Sequence, residues 1–173
     1  SAWADRLWTS ACGKGRWLGT VESLKEAIAA IDDETLWGLA AEERRDLIGY
    51  SRERLAWQFG QRGVAPQKVK EVAQILDPNI LTLGFARRFA EYKRPNLLLH
   101  DPERLLRLLS DPKRPVQLIF AGKAHPADQA GQALIQKWIQ FIRRSDVRPH
   151  AIFLSDYDMQ LTSRLVQGVD VWL

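Results

Sequence analysis

The sequence predicts an α/β fold in which helices cover both faces of a parallel sheet, preceded by a segment that is wholly helical. Two observations lead to this fold class. Short apolar runs without polar alternation occur in the second part of the chain, which is typical of strands buried on both faces of a sheet. Helical stretches long enough for crossover connections separate these runs. We therefore expect a Rossmann-like unit with right-handed crossovers.

The helical segment covers residues 1–77. Its periodicity predicts helices over residues 23–31, 33–38 and 41–62, and a further helix from Pro66 to about residue 76. A capping box from Ser23 to Glu26 begins the first of these helices, and Gly63 ends the third. Residues 77–79 form a turn that closes the segment.

The α/β unit covers residues 78–173. Strands are predicted over residues 80–85, 116–121, 151–154 and 169–173. Helical stretches are predicted over residues 91–110, 126–144 and 158–167, and a helix restart is open at residues 101–103 inside the first of them. Because the chain stops on the last apolar residue of the fourth strand, we expect a partial domain, truncated at its C-terminal end.

The composition fits a cytoplasmic protein and excludes several classes of site. Cys12 is the only cysteine, so neither an intrachain disulfide nor a thiolate metal cage can form. The net charge of +4 comes from mixed charges, which do not indicate nucleic-acid binding, and no segment predicts a membrane span. HExxH, GxSxG, Walker and GxGxxG motifs are all missing, so we expect no metal site and no dinucleotide site.

A basic cluster follows the first predicted strand. Arg87, Arg88, Lys93 and Arg94 lie close together in the sequence, at the point where we expect a helix to begin. Cationic side chains and a helix N-terminus both favour an anion, so this cluster predicts a phosphate site.

Polar or flexible residues also follow the next two strands. Gly122 and Lys123 follow the second, and residues 155–158 follow the third. Ligands of parallel α/β sheets bind beyond the carboxyl ends of the strands, so these residues face the same rim as the basic cluster. Lys123 is an anion contact or a structural residue, and the sequence leaves both open. His125 is interpreted as structural.

Four ordered motifs resemble those of one enzyme family. They read GFARRFAEYKRP over residues 84–95, FAGKAHP over 120–126, IFLSDYDMQL over 152–161 and GVDVWL over 168–173. Their order and spacing resemble the α-glucan phosphorylases, the glycogen and maltodextrin phosphorylase family. The segment KGRWLGTVESL resembles the bacterial and archaeal branch. The resemblance covers essentially the whole chain.

The resemblance implies a glycosyltransferase of two Rossmann-like domains, of which this chain is a segment at the start of the C-terminal domain. Such an enzyme cleaves terminal α-1,4 bonds of a glucan with inorganic phosphate to give glucose 1-phosphate, and its cofactor is pyridoxal phosphate. The family's Schiff-base lysine lies beyond the GVDVWL-like motif, and no lysine of this chain matches it. We therefore expect the isolated chain to be inactive without the rest of the enzyme, and a homo-oligomer is left open as its assembly.

The resemblance also assigns residues. Arg88 and Lys93 match positions that hold the substrate phosphate. Arg87 matches a basic position that contacts the cofactor phosphate, where the animal enzymes have lysine, and Tyr157 matches a tyrosine beside the cofactor ring. A planar guanidinium can donate twice to a phosphate, and an ammonium adds a compact charge.

Two alternative functions stay open at this point. A glycosyltransferase that uses a sugar nucleotide would need a similar arginine and lysine pair for its leaving diphosphate. A non-catalytic binding module of the same fold would also retain the basic cluster. Hydrolysis is the weaker chemistry, because Asp156 and Asp158 are too close in sequence to define a glycosidase pair by themselves.

Overall fold

The computed structural model describes residues 1–155 and 157–173. The helices and strands, in chain order, are α1 (Ala2–Cys12), α2 (Val21–Ala29), α3 (Asp33–Gln61), α4 (Pro66–Glu71), β1 (Leu81–Ala86), α5 (Pro102–Leu109), β2 (Val116–Ala121), α6 (Gln129–Ile142), β3 (Ala151–Leu154), α7 (Met159–Gly168) and β4 (Val171–Trp172). Within this part of the chain, no helix combines the length and the apolar composition needed to cross a bilayer.

The four strands form one parallel sheet in the order β3-β2-β1-β4. The register of β1 and β2 runs from Leu81 opposite Val116 to Ala86 opposite Ala121. The strand β4 is short and pairs with β1 alone among the described strands. The predicted α/β fold with a parallel sheet is confirmed.

Helices lie on both faces of the sheet, as the strand order requires. The chain steps from β1 to β2 to β3 in one direction, and then returns through α7 to the far side of β1. Because crossovers are right-handed, the helix of a crossover that runs one way across the sheet covers one face. The helix of a crossover that runs the other way covers the opposite face. Accordingly, α5 and α6 share one apolar core, and α3 and α7 share the other.

Each face has its own apolar core. On the face of α5 and α6, the ring of Phe120 stacks on Trp138 at 3.8 Å between centroids and on Phe85 at 5.2 Å. On the opposite face, Ile119 and Ile152 pack against α3 and α7. The buried apolar residues that line this second core are Leu47, Ile48, Leu55, Val72, Leu76, Ala86, Ile119, Ala121, Ile152, Leu154, Leu161 and Leu165.

The helical segment differs from the prediction in several places. The helix predicted from Pro66 to about residue 76 ends at Glu71 and continues only as a 3-10 turn, Val72–Gln74. The helices predicted over residues 33–38 and 41–62 are a single helix, α3, which passes through Gly38 without a break. One exposed glycine costs only about 1 kcal/mol inside a helix, and the Asp32 cap and the packed face of α3 outweigh it. The predicted capping box is also wrong, because α2 begins earlier and Thr20 accepts the hydrogen bond from the Ser23 N–H. The predicted stop at Gly63 is confirmed, with φ of 64°.

The predicted helix over residues 91–110 is wrong in its first half. Residues Glu91–Lys93 and Leu97–His100 form only short 3-10 turns, and α5 begins at Pro102. Arg94 adopts a left-handed backbone conformation with φ of 48°, and Pro95 follows it, so a helix cannot continue here. No α-helix therefore begins within the basic cluster.

A nearly buried ion pair joins α3 to the α/β unit. The Arg44 Nε–H donates to Oδ2 of Asp170 at 2.8 Å, a second Arg44 N–H donates to Oδ1, and a third donates to the Pro78 carbonyl at 3.0 Å. The same Asp170 carboxylate accepts from the Thr82 N–H at 2.8 Å. The side chains of Arg44 and Asp170 are only 5% and 17% exposed. This ion pair fixes α3, the start of β1 and the entry to β4 together, while the domain division at residue 77 stays a prediction.

Replacing Asp170 tests this junction. In Asp170→Asn the Arg44 guanidinium stays buried without a counter-charge, so the free energy of unfolding should fall by about 3 kcal/mol. Urea unfolding followed by circular dichroism measures this change. Arg45→Ala is the matched control, because Arg45 pairs with Glu42 on the surface and should change stability by no more than about 0.5 kcal/mol. Equal effects of the two substitutions would show that the junction is not a special source of stability.

Candidate functional site

The candidate site lies at the carboxyl ends of the strands, where the strand order reverses. The chain leaves β1 towards β2 on one side, and β4 lies on the other side of β1. In parallel α/β sheets this reversal opens a crevice in which ligands bind. The end of β1, and with it Arg87 and Arg88, lies at this reversal of the strand order.

The backbone beyond β1 continues its pairing with the backbone beyond β2. The Arg87 N–H donates to the Ala121 carbonyl at 3.3 Å, and the Phe89 N–H donates to the Lys123 carbonyl at 3.0 Å. Phe89 is fully buried, and its ring contacts Phe85 edge to face at 5.6 Å. The basic residues after β1 are therefore held on a fixed backbone.

Gly122 allows this close approach. A Cβ atom at position 122 would lie 2.5 Å from both the Arg87 carbonyl oxygen and the Phe89 ring. Real Cβ atoms do not approach this closely, so a side chain here would displace the backbone that carries Arg87 and Arg88.

Among the described residues, no carboxylate forms an ion pair with the cations at this rim. The side chains of Arg87, Arg88, Arg94 and Lys123 are exposed, and Lys93 is half-buried. Over residues 1–155 and 157–173, none of these five side chains takes part in an ion pair. The rim can therefore attract an anion without first breaking an internal ion pair.

Lys93 is positioned by the helix α6. The indole N–H of Trp138 donates to the Pro95 carbonyl at 2.9 Å, and the Asn96 side-chain amide donates to the Leu134 carbonyl at 3.3 Å. These bonds fix the 3-10 turn that carries Lys93, whose Nζ lies 5.5 Å from the Tyr92 ring centroid. Sequence reasoning did not find this role of Trp138, because the contact is distant along the chain.

The loop after β3 is held by side chains of α3. The buried Gln58 accepts, through Oε1, from the Ser155 N–H at 2.8 Å and from the Ser155 hydroxyl at 3.1 Å. Arg62 donates to the Ser155 hydroxyl at 3.3 Å. Tyr157 is half-buried in the same loop and packs against the core shared by α3 and α7. Sequence reasoning missed Gln58 and Arg62, since no local signal links α3 to this loop.

Asp158 has a structural role. Its carboxylate accepts from the Leu161 N–H at 2.7 Å, which caps α7, and forms an ion pair with Arg54 at 3.0 Å. The backbone hydrogen bond, and then the contact with Arg54, lower the pKa of Asp158, so it is ionised at neutral pH. Asp156, the other residue of the weighed carboxylate pair, lies outside the described residues.

The described residues contain no cluster of three or more histidine, cysteine, aspartate or glutamate side chains suited to a metal ion. The rim does combine several cations that have no ion pair within the described part of the chain, on a backbone fixed by hydrogen bonds. Chemically, this arrangement suits a phosphate group, because guanidinium and ammonium groups both donate charge-assisted hydrogen bonds to its oxygens.

Comparison with known proteins identifies relatives over almost the whole chain, although no family model matches it. The chain is 42% identical to a glycogen phosphorylase of Mycobacterium tuberculosis, over 99% of this chain and 20% of that protein. It is 41% identical to a glycogen phosphorylase of Aquifex aeolicus, over 88% of this chain and 22% of that protein.

A third relative is named as a maltodextrin phosphorylase. The chain is 36% identical to a maltodextrin phosphorylase of Thermococcus litoralis, over 88% of this chain and 18% of that protein. The chain thus spans about a fifth of the length of the relatives it matches. The resemblance carried by the four motifs is therefore confirmed: the chain corresponds to a segment of the glycogen and maltodextrin phosphorylase family.

Proposed function

We propose that this chain forms the phosphate-binding part of an α-glucan phosphorylase. The whole enzyme would cleave terminal α-1,4 bonds of a glucan with inorganic phosphate and give glucose 1-phosphate. The observation that carries the proposal is the group of cations that follow β1 and β2 and have no ion pair among the described residues, in a chain similar to glycogen and maltodextrin phosphorylases. We further propose that the chain is inactive alone and acts in the cytoplasm.

Arg88 and Lys93 would hold the substrate phosphate. Arg88 is exposed at the end of β1, and Lys93 lies on the 3-10 turn that Trp138 fixes through Pro95. Both side chains are free of ion pairs with the described carboxylates, so neither must leave a partner to bind phosphate. Their charges would stabilise the negative charge of phosphate as it approaches the sugar.

Arg87 and Tyr157 would contact pyridoxal phosphate. The fit is partial. The exposed guanidinium of Arg87, which has no ion pair with the described carboxylates, suits the cofactor phosphate, and half-buried Tyr157 offers a ring next to the sheet. No lysine of the chain is buried, so the structure offers no enclosed amine for a Schiff base, and that residue would come from another part of the enzyme. When bound, the cofactor supplies a phosphate that exchanges a proton with the substrate phosphate. The role of Arg87 is to keep that cofactor phosphate anionic and in place.

Substituting the two proposed phosphate ligands tests this function. In the full-length enzyme, Arg88→Ala and Lys93→Ala should each raise KM for phosphate about tenfold or more, since a charge-assisted hydrogen bond contributes about 1.5–3 kcal/mol. KM for maltodextrin should change much less. Steady-state formation of glucose 1-phosphate measures both constants.

Exposed cations elsewhere provide the controls for this test. Arg107→Ala on α5 and Lys137→Ala on α6 each remove one positive charge of the same type from a position outside the rim. Both should leave KM for phosphate unchanged. If the rim variants also retain their KM for phosphate, the assignment fails. Activity that requires a sugar nucleotide would instead support the alternative glycosyltransferase.

Gln58 tests whether α3 holds the loop of Tyr157. Gln58→Leu removes the acceptor of the Ser155 N–H and hydroxyl, so the full-length enzyme should lose about 1–3 kcal/mol of stability and release its cofactor faster. Gln58→Glu retains the accepting oxygen and should restore both properties. Thermal unfolding and cofactor absorbance during dialysis measure the two effects.

Gln61→Leu, on the exposed end of the same helix, is the control for Gln58→Leu. A loss of stability without faster cofactor release would mean that Gln58 supports the fold but does not position Tyr157. If Gln58→Leu and Gln61→Leu behave identically, Gln58 neither stabilises the fold nor positions Tyr157.

A further inference from the structure

Lys123 lies directly beside Arg88 in the extended register of the sheet. The offset that pairs Ala86 with Ala121 in the sheet also pairs Arg88 with Lys123. The hydrogen bonds from the Arg87 N–H to the Ala121 carbonyl and from the Phe89 N–H to the Lys123 carbonyl show that this offset is kept beyond the strands. Residues opposite each other in parallel strands are about 4.8 Å apart.

The two side chains lie on the same side of the sheet. Side chains alternate along extended strands, and Ala86 and Ala121 belong to the core on the face of α3 and α7. Arg88 and Lys123 each follow these residues by two positions, so alternation directs them to that same face. Phe89, one position after Arg88, lies in the opposite core, as this alternation requires.

This pairing of like charges is unfavourable unless an anion joins it. Cations placed opposite each other on neighbouring strands repel. Neither Arg88 nor Lys123 has an ion pair or a side-chain hydrogen bond with any other residue in the described part of the chain. A doubly charged anion between the two groups would convert the repulsion into two attractive contacts.

The structural contribution of position 123 comes from its backbone. The carbonyl of Lys123 accepts from the Phe89 N–H, and any amino acid would provide that carbonyl. The exposed ammonium group adds nothing to this bond. The fold therefore does not require a lysine side chain at this position, which leaves the ammonium group available to an anion.

We propose that Lys123 is a further ligand of the substrate phosphate, binding it together with Arg88 across the extended β1–β2 pair. The proposal rests on the proposed function, since it assumes that Arg88 binds this phosphate. Under this proposal three cations bind the phosphate. Arg88 and Lys123 follow two neighbouring strands, and Lys93 lies on the 3-10 turn. An ammonium on a flexible stem can reach an anion one strand away without displacing the backbone.

The full-length enzyme with inorganic phosphate as the probe tests the proposal. Lys123→Ala should raise KM for phosphate about tenfold, with KM for maltodextrin and cofactor content unchanged, and Lys123→Arg should restore most of the affinity. Phosphate should also raise the Tm of the wild-type enzyme more than that of Lys123→Ala, because binding to the folded state stabilises it. Without phosphate, Lys123→Ala should be at least as stable as the wild type, since a repulsion has been removed.

Two controls separate this inference from the proposed function. Lys113→Ala removes an exposed lysine from the loop before β2, at the opposite end of the sheet, and should have no effect on KM for phosphate. If Arg88→Ala weakens phosphate use while Lys123→Ala behaves like Lys113→Ala, the role of Lys123 is wrong and the proposed function stands. If Arg88→Ala also has no effect, the proposed function itself fails. Loss of cofactor in Lys123→Ala with an unchanged KM for phosphate would overturn the proposal too.

Discussion

The candidate site depends on one constraint, the parallel pairing of β1 and β2 that continues beyond the ends of both strands. Two backbone hydrogen bonds extend this pairing to Phe89 and Lys123. The buried ring of Phe89 holds one side of the extension, and the missing side chain of Gly122 allows the backbones to approach. Cations that follow the strands are therefore fixed relative to each other before any ligand arrives. Such preorganisation makes electrostatic stabilisation effective, because no free energy is lost in rearranging the charges.

The long helix α3 connects the helical segment to this rim at two points. Near its start, Arg44 binds Asp170 and so fixes the entry to β4 beside β1. Near its end, Gln58 and Arg62 hold Ser155 in the loop that also carries Tyr157. One rigid helix thus sets the edge of the sheet at one end and the loop after β3 at the other. This explains how a segment without proposed phosphate ligands contributes to the geometry of the site.

Much of the fold was predictable because local signals carry it. The strands β2 and β3 were predicted with their observed bounds, since buried parallel strands are uniformly apolar runs. The region after β1 was predicted wrongly as a helix, because the left-handed backbone of Arg94 and the contact of Trp138 with Pro95 depend on tertiary structure. The basic residues of the site are visible in the sequence, but the helix expected to begin among them is absent. Gln58 and the pairing of Arg88 with Lys123 became evident only from the register and from contacts distant along the chain.

The central claim is that the register of β1 and β2 arranges cations around one phosphate group. A crystal structure of the full-length enzyme with bound phosphate tests it most directly. The account predicts a phosphate whose oxygens lie at hydrogen-bond distance, about 2.7–3.2 Å, from the side chains of Arg88, Lys93 and Lys123. A substrate phosphate bound away from these residues, with Arg88 and Lys123 both directed into solvent, would contradict it.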